Sequence, residues 1–347
     1  TATGNASVVL GSKKLIIGNN DPAGPQSFSG VISGTGEVEI NGANDFVQIF
    51  SGANTYTGDT TISAGTLLLS GSGSIEESVA VDVDGTLDIQ NVTTNQGDPG
   101  ISGAAIKRLT GSGTVQLGSN RLYVTNASND TFDGIINSAD NDNAGLTLEE
   151  GSLTLTAQHT YLGFTSIETG ATLKLTGSAS FDEDMSAVFF GNGTGTFDIS
   201  GIDSETSIQS LTATGNASVV LGSKKLNIGN NDPAGDQSFS GVISGTGEVE
   251  ITGANNFVQI FSGANTYTGL TTISGGTLKL SGSLAGDIKV VDPGKIEIIK
   301  SSDTVFAYNL SGTGTLVHGL ASNRILTLNS NYSNFSGSVD IGSKALV

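Results

Sequence analysis

Thr66-Leu67-Leu68-Leu69 returns 211 positions later (277 − 66) as Thr277-Leu278-Lys279-Leu280. A second triplet behaves the same way: Leu15-Ile16-Ile17 returns as Leu226-Asn227-Ile228. In each case the flanking aliphatics stay and the middle residue turns polar. A strand sends successive side chains to opposite faces, so the middle position must look outward to accept Lys or Asn. A helix would not sort these triplets in that way, and the pattern is β. The triplets belong to a longer duplication, in which residues 1–73 align with 212–284 and differ at eight positions. A repeat of that length dominates any reading of the fold.

Between the two copies a shorter period is visible. Aliphatic pairs spaced by two recur at Val115/Leu117, Leu122/Val124, Leu146/Leu148, Leu153/Leu155 and Leu173/Leu175. Leu153 to Leu173 is 20 residues (173 − 153) and contains three strand-like pieces, the middle one near residues 161–167. Three short strands per turn, separated by Gly, Asn and Ser, describe one coil of a three-stranded parallel β-helix. About 17 such coils, stacked roughly 4.8 Å apart, would use the whole chain as one continuous domain over 1–347. The only mildly helical stretch, Ala104 to Leu109, is too short to change the class.

Composition fits this reading. Gly accounts for 50 of 347 residues, roughly twice the usual share of about 7%. Hydrophobic residues make up 36%, enough for a long core and too many for simple disorder. With 33 acidic and 14 basic residues, the formal charge is −19. That balance opposes nucleic-acid binding through Lys and Arg clusters, and electrostatic landing on an anionic membrane. The lack of Cys excludes disulfides and thiolate metal sites, and fits both a cytosolic chain and one that crosses an envelope unfolded. No apolar run reaches 18 residues, so direct membrane insertion as a helix is not expected. The chain starts at Thr1 within the pattern and without a leader, which reads as a processed form or an excised piece.

Residues 52–71 read GANTYTGDTTISAGTLLLSG, and residues 263–282 read GANTYTGLTTISGGTLKLSG. A degenerate copy spans 156–177, with His159-Thr160-Tyr161 in place of Asn54-Thr55-Tyr56 and Ala171 inserted. A fainter one includes Tyr332 and Phe335-Ser336-Gly337. These stretches resemble the autotransporter-associated β-strand repeat of bacterial autotransporter passenger domains (type V secretion). The resemblance implies a right-handed parallel β-helix, carried to the surface of a Gram-negative cell or released. The C-terminal residues 342–347 lack the alternation of a translocator barrel, so passenger alone is expected. The motif also makes physical sense by itself. Thr and Ile favour strands, and Gly58, Gly65 and Gly71 would permit the positive φ of tight corners. Asn54 and Asn265 would sit at turns, their amides bonding to backbone or to the same residue in the next coil. Tyr56 and Tyr267 would pack inward.

Candidate chemistry is sparse. His159 and His318 are the only histidines, and His159 occupies the Asn54 slot, which reads as a turn residue. No nucleophile elbow is present. Carboxylates pair at Asp82/Asp84, Asp140/Asp142, Glu149/Glu150 and Asp182-Glu183-Asp184, as in lyases and hydrolases built on β-helices. Alternation around Val81-Asp82-Val83-Asp84 turns both Asp side chains to solvent, and Lys107-Arg108 is not obviously beside any acidic cluster. Residues 140–145 (DNDNAG) open like a calcium loop but have Gly151 where the closing Glu belongs, so the EF-hand pattern fails. Asn19-Asn20-Asp21-Pro22 and Asn230-Asn231-Asp232-Pro233 read as turns. Sequons at Asn5, Asn126, Asn129, Asn192 and Asn216 carry little information where Asn, Ser and Thr abound.

No residue therefore earns a catalytic, cofactor or metal role, and the ligand-binding residues stay unknown at this level. The expected function is that of a non-enzymatic exported scaffold or adhesin using elongated polar faces. Its partners would be a host or abiotic surface, or the identical passenger on a neighbouring cell. The two copies would show the same surface twice, and many weak contacts would add up to avidity. The rival expectations are a filament subunit stacking head to tail and a β-helix polysaccharide lyase or hydrolase.

Overall fold

Short runs of Val, Ile, Leu and Thr, bounded by Gly, Asn and Ser, form strands of two to seven residues. The computed structural model describes residues 6–18, 24–43, 45–96, 100–138, 143–181, 187–191, 193–229, 235–254, 256–320, 323–330 and 332–341. The Asn-Asp-Pro turns, the Asp140/Asp142 and 182–184 acidic groups, Asn5, Asn192 and residues 342–347 lie outside the described residues. No helix occurs among the described residues, and the strand ladders are parallel. Ala104 to Ile106, the mildly helical stretch, is strand, because Ala104 and Ile106 pair with Leu122 and Val124 of the next coil.

The strands stack as a β-solenoid of about 14 turns, against the expected 17. The 20-residue coil is only one of several lengths. Paired residues lie 17 apart at Thr271 and Ile288 (288 − 271) but 28 apart at Val81 and Leu109 (109 − 81). The extra residues fall between strands, as between Val92 and Gly103.

The chain forms two compact units, Thr1–Asp182 and Glu183–Val347. In the first, Leu15–Ile17, Val38–Asn41, Thr60–Ala64, Val81–Val83 and Leu109–Thr110 form one side. Gln26–Phe28, Val47–Phe50, Thr66–Gly71, Thr86–Val92, Thr114–Gln116 and Ile135–Asn137 form a second, and Ser7–Val9, Val31–Gly34 and Thr55–Tyr56 a third. In the second unit, Ser218–Val220 stacks on Thr196–Ile202 and under Val242–Ser244, repeating the third side.

Inside each unit, aliphatics line up in register. Val38, Thr60, Val81 and Leu109 form one inner column, and Leu226, Val249, Thr271 and Ile288 its counterpart, all fully buried. Each buried aliphatic contributes about 1.5–3 kcal/mol. Phe190 and Phe239 meet at 5.9 Å because the residue between them in the column is Ala213. The diagnostic triplets behave as alternation requires. Leu67 and Leu69 are buried around a half-exposed Leu68, Leu278 and Leu280 around Lys279, and Ile16 is 45% exposed.

Gly65 and Gly71 adopt φ of +71° and +61°. Gly58 does not, and serves instead for close approach: a Cβ there would lie 2.2 Å from the Gly36 carbonyl oxygen.

Candidate functional site

The repeat builds the same internal corner three times. Asn54 is buried, its Oδ1 accepts from Ile32 N (3.0 Å), and its Nδ2 donates to the carbonyls of Gly52 (3.1 Å) and Ser74 (3.0 Å). Asn265 does the same with Ile243 N (2.9 Å), Gly263 O and Ser283 O. The amide therefore clasps the backbone of three successive coils rather than another Asn. His159 takes this slot in the degenerate copy, and its Nδ1 accepts from Ile136 N at 3.1 Å. It is fully buried, and burial pushes its pKa down to about 4. Two residues on, Tyr56, Tyr161 and Tyr267 pack inward, each with its hydroxyl 2.6 Å from the Oγ1 of Thr60, Thr165 or Thr271. Burial raises all three tyrosine pKa values far above their ordinary range. These groups are architectural.

Among the described residues the paired carboxylates do not converge on a reaction centre. Asp82 accepts from Thr110 Oγ1 (2.9 Å), and Asp84 from the backbone N and Oγ of Ser112 (3.1 and 2.9 Å). Glu149 is partly buried and Glu150 exposed. Lys107 pairs with Glu77 (3.1 Å), and Arg108 grips the buried carboxylate of Asp130. His318 is half-buried on the strand Thr315–His318. Among the described residues no three His, Asp or Glu side chains gather as metal ligands would.

Outer faces carry charged ladders instead. In the first unit Lys14 meets Glu39 at 2.7 Å and Glu37 at 3.7 Å. The Lys14 bond, with a second from Ser63, holds the Glu39 pKa below its ordinary value. The second unit repeats this with Lys225, 2.6 Å from Glu250 and 3.7 Å from Glu205. Burial alone would raise the Glu250 pKa, but bonds from Lys225 and Ser274 leave it lowered. The copies are not identical outside: Pro25 and Leu68 become Asp236 and Lys279, which form a salt bridge at 2.7 Å. Two of the eight differences thus compensate each other, and the expectation of one surface shown twice holds only in part.

Two side chains escape sequence reasoning. Arg121 is fully buried, with its guanidinium 3.4 Å from the ring centroid of Phe164 and Nη1 donating to Thr147 Oγ1 at 3.3 Å. Gln259 points inward and accepts from Leu211 N (3.2 Å) while donating to Leu211 O (2.9 Å) and Gln237 O (3.1 Å). It completes a ladder that pairs only at Ala213 and Phe239. Both depend on neighbours one or two coils away, and nothing in the local sequence marks them.

The repeats and the comparisons with known proteins together support an autotransporter passenger with repeats. The passenger-associated-transport-repeat family matches at residues 47–69, 149–175 and 258–280, over the three Asn/His–Tyr–Thr corners or the strands beside them. Such passengers are exported, to the cell surface or into the medium. In particular, the chain is similar to the Adhesin BmaC autotransporter of Brucella suis biovar 1 (strain 1330), 29% identical over 284 residues. The match covers 78% of this chain and 8% of that relative, so the chain spans a small part of the relative's length. No solved structure matches the chain.

Proposed function

We propose that this chain is the exposed part of a non-enzymatic adhesive passenger at the outer surface of a Gram-negative cell, which holds the cell to a surface through weak contacts repeated along its coils. The observation that carries this reading is the allocation of chemistry. His159 and the hydroxyls of Tyr56, Tyr161 and Tyr267 sit inside as struts, while the paired carboxylates among the described residues outside are dispersed and locally bonded. An enzyme needs a proton donor and acceptor converging on one substrate atom. A contact scaffold needs only repeated faces, whose small increments multiply. Likeness to a protein named as an adhesin supports the same reading.

The test is display of the chain on a non-adherent strain, with attachment to coated and abiotic surfaces measured against a strain displaying an unrelated solenoid. Attachment above that control is expected, and none on any surface would refute adhesion. A parallel incubation with acidic polysaccharides should release no unsaturated products or new reducing ends.

A further inference from the structure

The eight differences between the copies are not spread evenly. They fall at positions 16, 25, 41, 45, 59, 64, 68 and 73 and their counterparts. None lies on Ser7–Val9, Val31–Gly34 or Thr55–Tyr56, the third side of the coil, nor on Ser218–Val220, Val242–Ser244 or the stretch through Thr266. The other two sides exchange Ile for Asn, and Pro and Leu for Asp and Lys.

The strands that the two copies share on this side are also uncharged, and the carboxylate that borders them in the second unit is Asp198, in register with Val220. Residues 6–12, 26–36 and 46–58 contain no Asp, Glu, Lys or Arg, and neither do 217–223, 237–247 and 257–269. The adjoining side of the first unit bears Glu37, Glu39, Asp59, Asp82 and Asp84. In a chain of charge −19, two copies meet the least repulsion where neither carries a carboxylate.

The chemistry of the side is complementary to itself. Val31 and Val242, at 38% and 36% exposure, supply apolar points. Thr35 and Thr246 donate their hydroxyl hydrogens to Gly11 O (3.1 Å) and Gly222 O (3.3 Å), and Ser244 donates to Val219 O (3.3 Å). The hydroxyl oxygens of Thr35, Thr246 and Ser244 remain able to accept. Thr55, Thr57, Thr266 and Thr268 are exposed and can donate. An isologous contact requires one patch to hold both halves of each hydrogen bond, and this mixture provides them. Glycines bracket the side: a Cβ at Gly52 or Gly263 would lie 2.0 or 1.8 Å from the Gly30 or Gly241 carbonyl oxygen, so no side chain rises there.

We infer that the Val/Ser/Thr side shared by residues 6–58 and 217–269 is a docking face for the same face of a second copy of this chain. This deepens the adhesive reading and rests on it. Each chain presents the face twice.

The experiment is sedimentation velocity of the whole chain over a concentration series, with folding checked by circular dichroism. Three proteins are compared: the native chain, Val31→Asp/Val242→Asp on the face, and Thr61→Asp/Thr272→Asp on the adjoining side. The native chain should self-associate, and the Val pair should weaken that at least about tenfold, since like charges placed opposite each other cost several kcal/mol. The Thr pair should not. A native chain that stays monomeric up to its solubility limit would overturn the inference, as would equal weakening by both pairs. Adhesion of displayed cells to a surface by a chain that is monomeric in solution would overturn it too, while leaving the adhesive reading intact.

Discussion

His159 shows how one residue of the repeat can change chemically while keeping its structural task. Asn54 and Asn265 accept a backbone N–H through an amide oxygen that does not titrate in the working range, whereas His159 accepts through an imidazole nitrogen that does. With a folded pKa of about 4 against 6.5 for the free side chain, the unfolded chain binds the extra proton first as pH falls. Stability from this site is complete above pH 6.5 and is lost progressively as pH drops towards 4, by about 3 kcal/mol in all. Urea midpoints measured between pH 7 and 4.5 should therefore fall, and His159→Asn should remove that part of the slope. The Pro25/Leu68 exchange is a second test at this scale. Leu68→Lys alone adds a cation beside Pro25, whereas Pro25→Asp with Leu68→Lys rebuilds the Asp236–Lys279 pair. A double-mutant cycle should give a coupling of about 0.2–1 kcal/mol, the range for exposed pairs, and less at high salt.

Coils as elements are set by two demands on glycine, and substitutions separate them. At Gly71 a Cβ would meet nothing within 4 Å, so Gly71→Ala has only a positive φ to oppose it. A loss of about 1–2 kcal/mol is expected. At Gly263 a Cβ would fall 1.8 Å from the Gly241 carbonyl oxygen, and the strands must part to admit it. Gly263→Ala should cost more than Gly71→Ala, as thermal midpoints of the two variants would reveal. Much of this level was legible in the primary structure. The alternation of Leu67, Leu68 and Leu69 follows from side-chain period alone, and Tyr56 and Tyr267 pack inward as expected. Coil length was not, because insertions such as 93–102 leave the apolar alternation untouched and change only the count between ladders. Gly58 was misread for a related reason: sequence marks a glycine but does not say whether φ or the coil beneath requires it. The candidate contact side was hidden as well, since it becomes visible only when the eight differences are sorted by the side on which they lie. Arg121 and Gln259 belong with it, their roles being defined by Phe164 and Leu211 in other coils.

At the scale of the whole molecule, net charge governs how copies approach. With a charge of −19, association between chains should strengthen as added salt shortens the reach of repulsion from roughly 30 Å at 0.01 M to about 8 Å at 0.15 M. Light scattering across that range would check it, and weakening by salt would mean that charge pairs, not an uncharged face, hold the copies together. The duplicated interior has a different consequence, which concerns the gene. Because Ile288–Val290 stacks on Thr271–Ile273, whose counterparts Thr60–Ile62 are identical, the downstream strands would find the same seat on the earlier copy. A recombination that removes residues 73–283, 211 codons (283 − 73 + 1), should leave a 136-residue protein (347 − 211) with every ladder still in step. A duplication of this kind allows the protein to be shortened or lengthened by whole coils without a new fold at the junction.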